Sequence, residues 1–262
     1  MLNNNGDLNM TLPHMVAAGQ FPGALEWRKF GAGTVTTSWS TVYSAGANPG
    51  LYQYMSAPEK VSVASTDTDD ALGGTGGEFV SIEGLDEDLN MLSEIILLDG
   101  QTPVESTYVY IRVMRVENVS TQDIQGQCYV GPSSASWLGG EPDHILGHIN
   151  DGYNQSQLAL YTVPKEYTLM VDNFVVTTAA KEGEVGVYIR GTGLLDLPLT
   201  VFANKVPFEI AGAIVISTAH HPFMIPSGAE FEIRARASQA SMRVTANMTG
   251  ILMPNRYFPK HS

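Results

Sequence analysis

Hydrophobic and polar positions alternate with a period of two along much of this chain, most clearly within residues 78–118. There Val109, Ile111 and Val113 fall on one side of an extended backbone, and Tyr108, Tyr110 and Arg112 on the other. A half-buried strand requires this spacing, because successive side chains point to opposite faces of a sheet. Asp99-Gly100, after the apolar run 95–98, reads as a hairpin turn, since glycine tolerates the positive φ such a turn needs. Further along, Phe231, Ile233 and Ala235 alternate with Glu232, Arg234 and Arg236. Met242, Val244, Ala246 and Met248 then repeat the pattern against Arg243, Thr245 and Asn247. With Pro226-Ser227-Gly228 ahead and Gln239-Ala240 between them, these two segments predict a hairpin whose polar face is outward.

The same grammar organises the whole chain. Residues 1–33 read as an N-terminal arm, without a sustained period and with isolated anchors at Met15, Phe21, Leu25, Trp27 and Phe30. Such a segment is held only by docking, on its own body or on a neighbour. Residues 34–131 form a first β domain, with strands expected at 35–43, 51–55, 60–64, 79–83, 93–98, 108–116 and 126–130. Its turns at 46–50, 67–77 and 99–100 are rich in Gly, Pro, Asp and Asn. Residues 132–150 read as a linker around Trp137, with a loop turn at 141–150. A second β domain covers 151–262, with strands at 158–163, 168–176, 183–190, 206–210 and 214–218 besides the final pair. No segment reads as a helix of more than two turns. The expected fold class is all-β: two β-sandwich or jelly-roll-like domains behind an extended arm.

At 262 residues the chain has room for one or two domains, and 44% hydrophobic content suffices for packed cores. Only 16% of residues are charged, which favours a subunit partly covered by neighbours over a free enzyme. The net charge of −13, from 27 acidic against 14 basic residues, argues against nucleic acid as a direct partner, since phosphate binding begins with a basic footprint. The single cysteine, Cys128, rules out an intrachain disulfide and reads as a buried, inert thiol. The N-terminal segment lacks the features of a signal peptide, and the longest apolar run, 210–216, is far too short to span a membrane. A soluble protein made in a cytoplasm, with no membrane partner, is expected.

Candidate chemistry is sparse. His144 and His148 have the spacing of two ligands on one helical face, but Gly147 weakens a helix there and no third ligand stands nearby, so loop histidines are expected. His220 and His221 are adjacent on extended chain and point apart. Asp67, Asp69 and Asp70, followed by Gly73, Gly74, Gly76 and Gly77, lack the spacing of a calcium loop and read as a flexible acidic turn. Glu83, Asp86, Glu87 and Asp88 read as a solvated turn rather than a carboxylate pair facing across a cleft. Trp27, Trp39, Tyr43, Tyr52, Tyr54 and Trp137 could stack on sugars, though subunit packing is the preferred reading. We therefore expect no catalytic, cofactor or metal site and no enzyme. Assembly contacts are assigned to Phe21, Leu25, Trp27, Phe30 and Trp137.

Four segments carry a family resemblance. They are 30–43 with Tyr52–Tyr54 (K-F-G-x-G, T-S-W-S-T-V-Y, L-Y-Q-Y); 78–115 (V-S-I-E-G-L-D, S-E-x-I-x-L-D-G, Y-I-R-V-M-R); 157–165 (Q-L-A-L-Y-T-V-P-K); and the closing strands 226–252. Together the chain from about Lys29 onward resembles structural proteins of tailed bacteriophages, especially those of marine and freshwater bacteria. Pro164-Lys165-Glu166 departs from the usual Pro-Ala-Gly turn and affects only that turn. The resemblance implies a non-enzymatic virion component assembled in the host bacterial cytoplasm. Foremost it implies a capsid decoration (cement) protein, and otherwise a tail adaptor, collar or fibre part, or a carbohydrate-binding host-recognition module. Its implied partners are other virion proteins, either the major capsid protein or tail and connector proteins. A homo-oligomer, with a trimer as one form, fits a symmetric shell.

Overall fold

A computed structural model of the chain, in which residues 11–44, 50–191, 203–217 and 223–258 are described, carries nearly all its regular backbone in strands. A short helix α1 (Leu12–Ala17) precedes β1 (Leu25–Val35), β2 (Ser40–Thr41), β3 (Glu59–Ser65), β4 (Phe79–Leu85), β5 (Met91–Leu97), β6 (Val104–Tyr110) and β7 (Arg112–Asn118). There follow β8 (Cys128–Pro132), β9 (Trp137–Leu138), β10 (Glu141–Pro142), β11 (Gly147–Ile149) and β12 (Leu160–Thr162). The chain continues through β13 (Tyr167–Arg190), β14 (Ala203–Ser217), β15 (Phe223–Ile225), β16 (Glu230–Ala237) and β17 (Met242–Pro254), then a single 3-10 turn. The fold is all-β, as the alternation predicts.

The N-terminal body packs a four-stranded sheet, β11-β8-β3-β6, against a three-stranded one, β5-β4-β7. Val63, Ile82, Tyr110, Val113, Cys128 and Ile149 interdigitate between them. The chain changes sheet four times, and two of these changes overturn the expected pattern. Asp99-Gly100 does turn, with Gly100 at φ 56°, but it does not close a hairpin. Asp99 bridges to Ala71, and the backbone of Gly100 bonds to Ser65 and Asp70, which steers β6 away from β5 and onto β3. The other of the two falls at Ile111, between β6 and β7. It inverts the expected faces: Val109 is exposed while Tyr110 is fully buried, and beyond the break Val113 and Val116 point inward.

The C-terminal body is built on β13. One edge of this 24-residue strand pairs first with β17, over 167–178, and then with β16, over 183–190. The other edge pairs with β15 and β14. The segments 230–237 and 242–254 are therefore not a hairpin, as their spacing suggests, but successive parts of one line running antiparallel to β13. β13 offers a continuous edge, so both parts satisfy their backbone groups on it without turning back. On the far side, β1 lies along β17, while β2 and β12 lie along β16. Each strand line is interrupted at the same level: residues 36–39, 238–241, the register shift between Thr177 and Glu182, and Gly212 at φ 99°. Bulges bend a strand, and bulges stacked across neighbouring strands bend the sheet.

Thr178 pins this corner. Its hydroxyl accepts from the Gly212 backbone N–H at 3.0 Å and donates to the Lys181 carbonyl at 2.9 Å. Replacing Thr178 with valine keeps the shape and strands both backbone groups, so a loss of about 2 kcal/mol is expected in chemical denaturation. A loss below a few tenths would show that the corner stands without the hydroxyl.

Three expected boundaries move. Residues 25–33, assigned to the arm, belong to β1, which pairs residue by residue with β17 from Leu25↔Leu252 to Val35↔Met242. Their inward positions are Trp27, Lys29, Gly31 and Gly33, too few apolar residues to show a period. The glycines are there for closeness: a Cβ on Gly31 would lie 2.3 Å from the Ala159 nitrogen, and one on Gly33 2.4 Å from the Tyr43 oxygen. Residues 34–41 likewise belong to the C-terminal sheet, and 51–55 join no ladder. Part of the expected linker, 147–149, is β11, which pairs with β8 and places Ile149 in the N-terminal core. Residues 46–49 of one predicted turn, and His220, His221 and Pro222, lie outside the described residues.

Candidate functional site

Of the five residues assigned to assembly contacts, one lies in the core, two are exposed and two are half-buried. Trp27 is in the core, edge-on to Tyr161 at 5.2 Å and Phe231 at 5.8 Å, and is only 5% exposed. Trp137 is half-buried on β9. Leu25 and Phe30 are exposed on β1. Phe21 docks on its own chain, edge-on to Tyr257 at 5.4 Å, beside bonds from Arg256 and Tyr257 to the Pro22 carbonyl. The proposed sugar platform is dispersed. Trp27 is buried in the C-terminal core, Tyr43 and Tyr52 in the N-terminal one with Tyr54 against them under two arginines, and Trp39 packs against Tyr188 at 5.7 Å.

The charged face of β16, expected in solvent, is buried at Glu230 and Glu232, while the Arg236 side chain remains partly exposed. Glu230 is 5% exposed and Glu232 1%. From the N-terminal body, Arg112 reaches over and donates its Nε to Glu230 Oε1 at 2.5 Å and its Nη1 to the Met55 carbonyl at 3.0 Å. Arg190 holds the other Glu230 oxygen. Glu232 takes Arg234 and the Thr41 hydroxyl, the latter at 2.9 Å. Tyr54 lies beneath the Arg190 and Arg112 guanidinium groups, at 4.4 and 5.2 Å from its ring centre. Burial pushes the Glu232 carboxyl upward in pKa, while Arg234 and the Thr41 hydroxyl hold it down. Every carboxylate oxygen of Glu230 is engaged by a cation, so the pair cannot shuttle protons as two free carboxylates would. The cluster is an ionic latch between the two bodies.

The other sequence candidates are separated. His148 is on β11, fully buried and stacked on Tyr129 at 4.2 Å, with Nδ1 at 2.7 Å from Ser44 Oγ and Nε2 at 3.0 Å from Gln127 Oε1. His144 Nε2 instead donates to the Gln53 carbonyl at 2.8 Å. Asp70 turns inward and spends its carboxylate on Ser65 and on backbone N–H groups of its own loop and of residues 125–126, whereas Asp69 stays exposed. Cys128 is buried, and burial raises its thiol pKa strongly. Glu83 lies on β4, while Asp86 folds the following turn by accepting from Asp88 and Asn90. Among the described residues no three metal-capable side chains converge.

Burial holds the His148 imidazole down to about 4, against an ordinary 6.5. Its contribution to stability is complete above pH 6.5 and is lost as pH falls toward 4, because only the unfolded chain then takes up the proton. The loss approaches roughly 3 kcal/mol at the acidic end. Denaturation at pH 7 and 4.5 should show that difference shrink in His148→Gln; an unchanged difference would assign the acid sensitivity elsewhere.

Two concavities open on the surface. One, of about 890 Å³, is bordered by Tyr52, Trp137, Glu141, Asp143 and His144. At its side Leu138 is 88% exposed, and the Trp137 indole N–H has no acceptor. The other, of about 560 Å³, lies between β1 and the β4–β5 edge and is lined by Trp27, Lys29, Phe30, Glu83, Met114 and Tyr161. Lys29, read only as part of the arm, is 9% exposed there. Burial brings its pKa down to about 7, with Glu83 opposing and Arg115 reinforcing the shift.

No protein-family model and no curated protein matches this sequence. Among solved structures, the Gt strain of infectious bursal disease virus is similar at 12% identity, covering 91% of this chain and 74% of that one, with a TM-score of 0.20. The VP2 subviral particle of the same virus gives the same identity, coverage and TM-score. Its T=1 particle gives 10% identity, 91% and 72% coverage, and a TM-score of 0.19. TM-scores of this size do not establish a common fold.

Proposed function

We propose that the chain is a structural subunit of a virus particle, and specifically a decoration protein on the head of a tailed bacteriophage. The observation that carries this reading is the outward face of β5. Met91, Ile95 and Leu97 project from it on one side, Ile95 at 65% exposure, and Tyr108 and Val109 are exposed on β6. Exposed apolar side chains aligned along a strand in this way mark a protein contact site, since a free monomer gains nothing by showing them to water. The sequence resemblance to tailed-phage structural proteins supports the particle as the setting. The latch at Glu230 supports it too, because it joins two β bodies into a unit able to transmit strain. The partners are other virion proteins, foremost the major capsid protein.

Peptide counting on purified particles tests this reading. Decoration predicts hundreds of copies or an equivalent shell stoichiometry; about a dozen would move the chain to the tail machine, and absence from particles would overturn the role. Ile95→Asp should remove incorporation at least about tenfold while leaving the isolated chain folded, as expected when a charge enters an apolar contact. Normal incorporation of that variant would clear this face of the contact.

A further inference from the structure

Lys29 occupies an inward strand position, between Trp27 and Gly31, where an apolar residue would satisfy the pattern. Its Nζ donates to the Met114 carbonyl. Among the described residues no carboxylate lies within ion-pair distance of it. Lys29 lines the pocket of about 560 Å³. Trp27, Tyr161, Met114 and Leu252 supply apolar walls, and the exposed residues Met91, Ser93 and Arg28 border solvent. The charged and titratable groups around the amine are Glu83 from β4, Arg115 from β7, Tyr161 from β12, and Glu26 and Arg28 on its own strand.

A buried ammonium without a counter-ion sheds its proton, and a neutral primary amine in an apolar pocket is a nucleophile. We propose that this pocket is a binding site for small carbonyl compounds, an aldehyde or ketone with an apolar or aromatic body, held through an imine to Lys29. Arg28 pairs with Glu26 and Arg115 lies 3.9 Å from Glu83, so the charges on the wall offset one another and leave a neutral carbonyl compound as the fitting ligand. In the step itself, the lone pair of Nζ forms a bond to the carbonyl carbon while the C=O π electrons pass to oxygen, which takes a proton. The carbinolamine then loses water, with its oxygen leaving and the remaining N–H proton released, to give C=N. One water is produced and nothing is oxidised. The walls of Trp27 and Tyr161 suit an aromatic body, and the Met114 carbonyl holds the amine in place before attack.

The test is reductive labelling of the full chain with benzaldehyde and sodium cyanoborohydride near pH 7, read by peptide mapping. Lys29 is expected to label at least about tenfold faster than Lys60, Lys165 or Lys181, with a rate that rises through a midpoint near neutrality. Ser93→Trp at the rim should slow that labelling about tenfold while leaving the surface lysines unchanged. Lys29→Met should abolish the adduct while keeping a melting temperature at or above the parent's, and Lys29→Arg gives the same reading if the methionine variant does not fold. Labelling of Lys29 no faster than the surface amines overturns the proposal, as does an unchanged rate in Ser93→Trp.

Discussion

Glu230→Ala is expected to destabilise the chain by about 3–5 kcal/mol, because it removes one partner of a buried ionic group and leaves the others charged. Arg112 and Arg190 both end on this carboxylate, at side-chain exposures of 16% and 14%, too enclosed for water to replace it fully. Thr162 adds a long hydroxyl contact at 3.4 Å. The loss should fall short of additivity when Arg112 is truncated in the same chain, since one guanidinium rather than two then faces the lost carboxylate. Urea denaturation of Glu230→Ala, Arg112→Met and the double variant measures this. A loss below about 1 kcal/mol for Glu230→Ala would mean that the latch is solvated in solution and does not couple the bodies.

Asp70→Ala should cost a similar amount, about 3–4 kcal/mol, by a different route: it orphans donors rather than charges. The fully buried carboxylate accepts from the Gly77 and Gln125 backbone N–H groups through Oδ1, at 2.9 and 3.0 Å. Through Oδ2 it accepts from the Gly126 N–H at 3.0 Å and from the Ser65 hydroxyl at 2.5 Å. All four partners are donors, so Asp70→Asn is expected to fail almost as badly: its amide N–H₂ would face another N–H. Gly76 is required beside it, as a Cβ there would lie 2.1 Å from Oδ1. Hydrogen exchange should show residues 66–78 and 124–127 losing protection together. Loss confined to one of the two segments would show that Asp70 does not join them.

The alternation of β16 and β17 was legible because it is local: Phe231, Ile233, Val244 and Met248 repeat at the pitch of a strand and do point inward. The polar neighbours on β17, Arg243, Thr245 and Asn247, are exposed as expected; the burial of Glu230 and Glu232 on β16 was not legible. Glu232 is buried by Thr41, and Glu230 by Arg112, residues far apart in sequence that no period connects. The jog at 238–241 reads as a turn for the same reason. In one dimension, a break between two strands looks alike whether the chain reverses or continues; only β13, elsewhere in the sequence, decides. β1 was missed because closeness to the 42–43 and 159 backbone selects glycine over apolar residues at its inward positions. Lys29 fell with it, since a lysine inside a stretch read as an arm raises no question until its burial is known.

The pairing of Leu25 with Leu252 has a consequence for how the chain is made. β1 is translated well before β17, the strand that receives it and the last of the sheet's members, so the C-terminal sheet cannot close until β17 has been made. Until then the Trp27 face of β1 and the edge of β13 stand open together. Ladders between such distant segments form slowly, because loop closure precedes any gain from the contact. The N-terminal sandwich, whose partners all lie within 59–149, can mature while the rest is still emerging and await its latch.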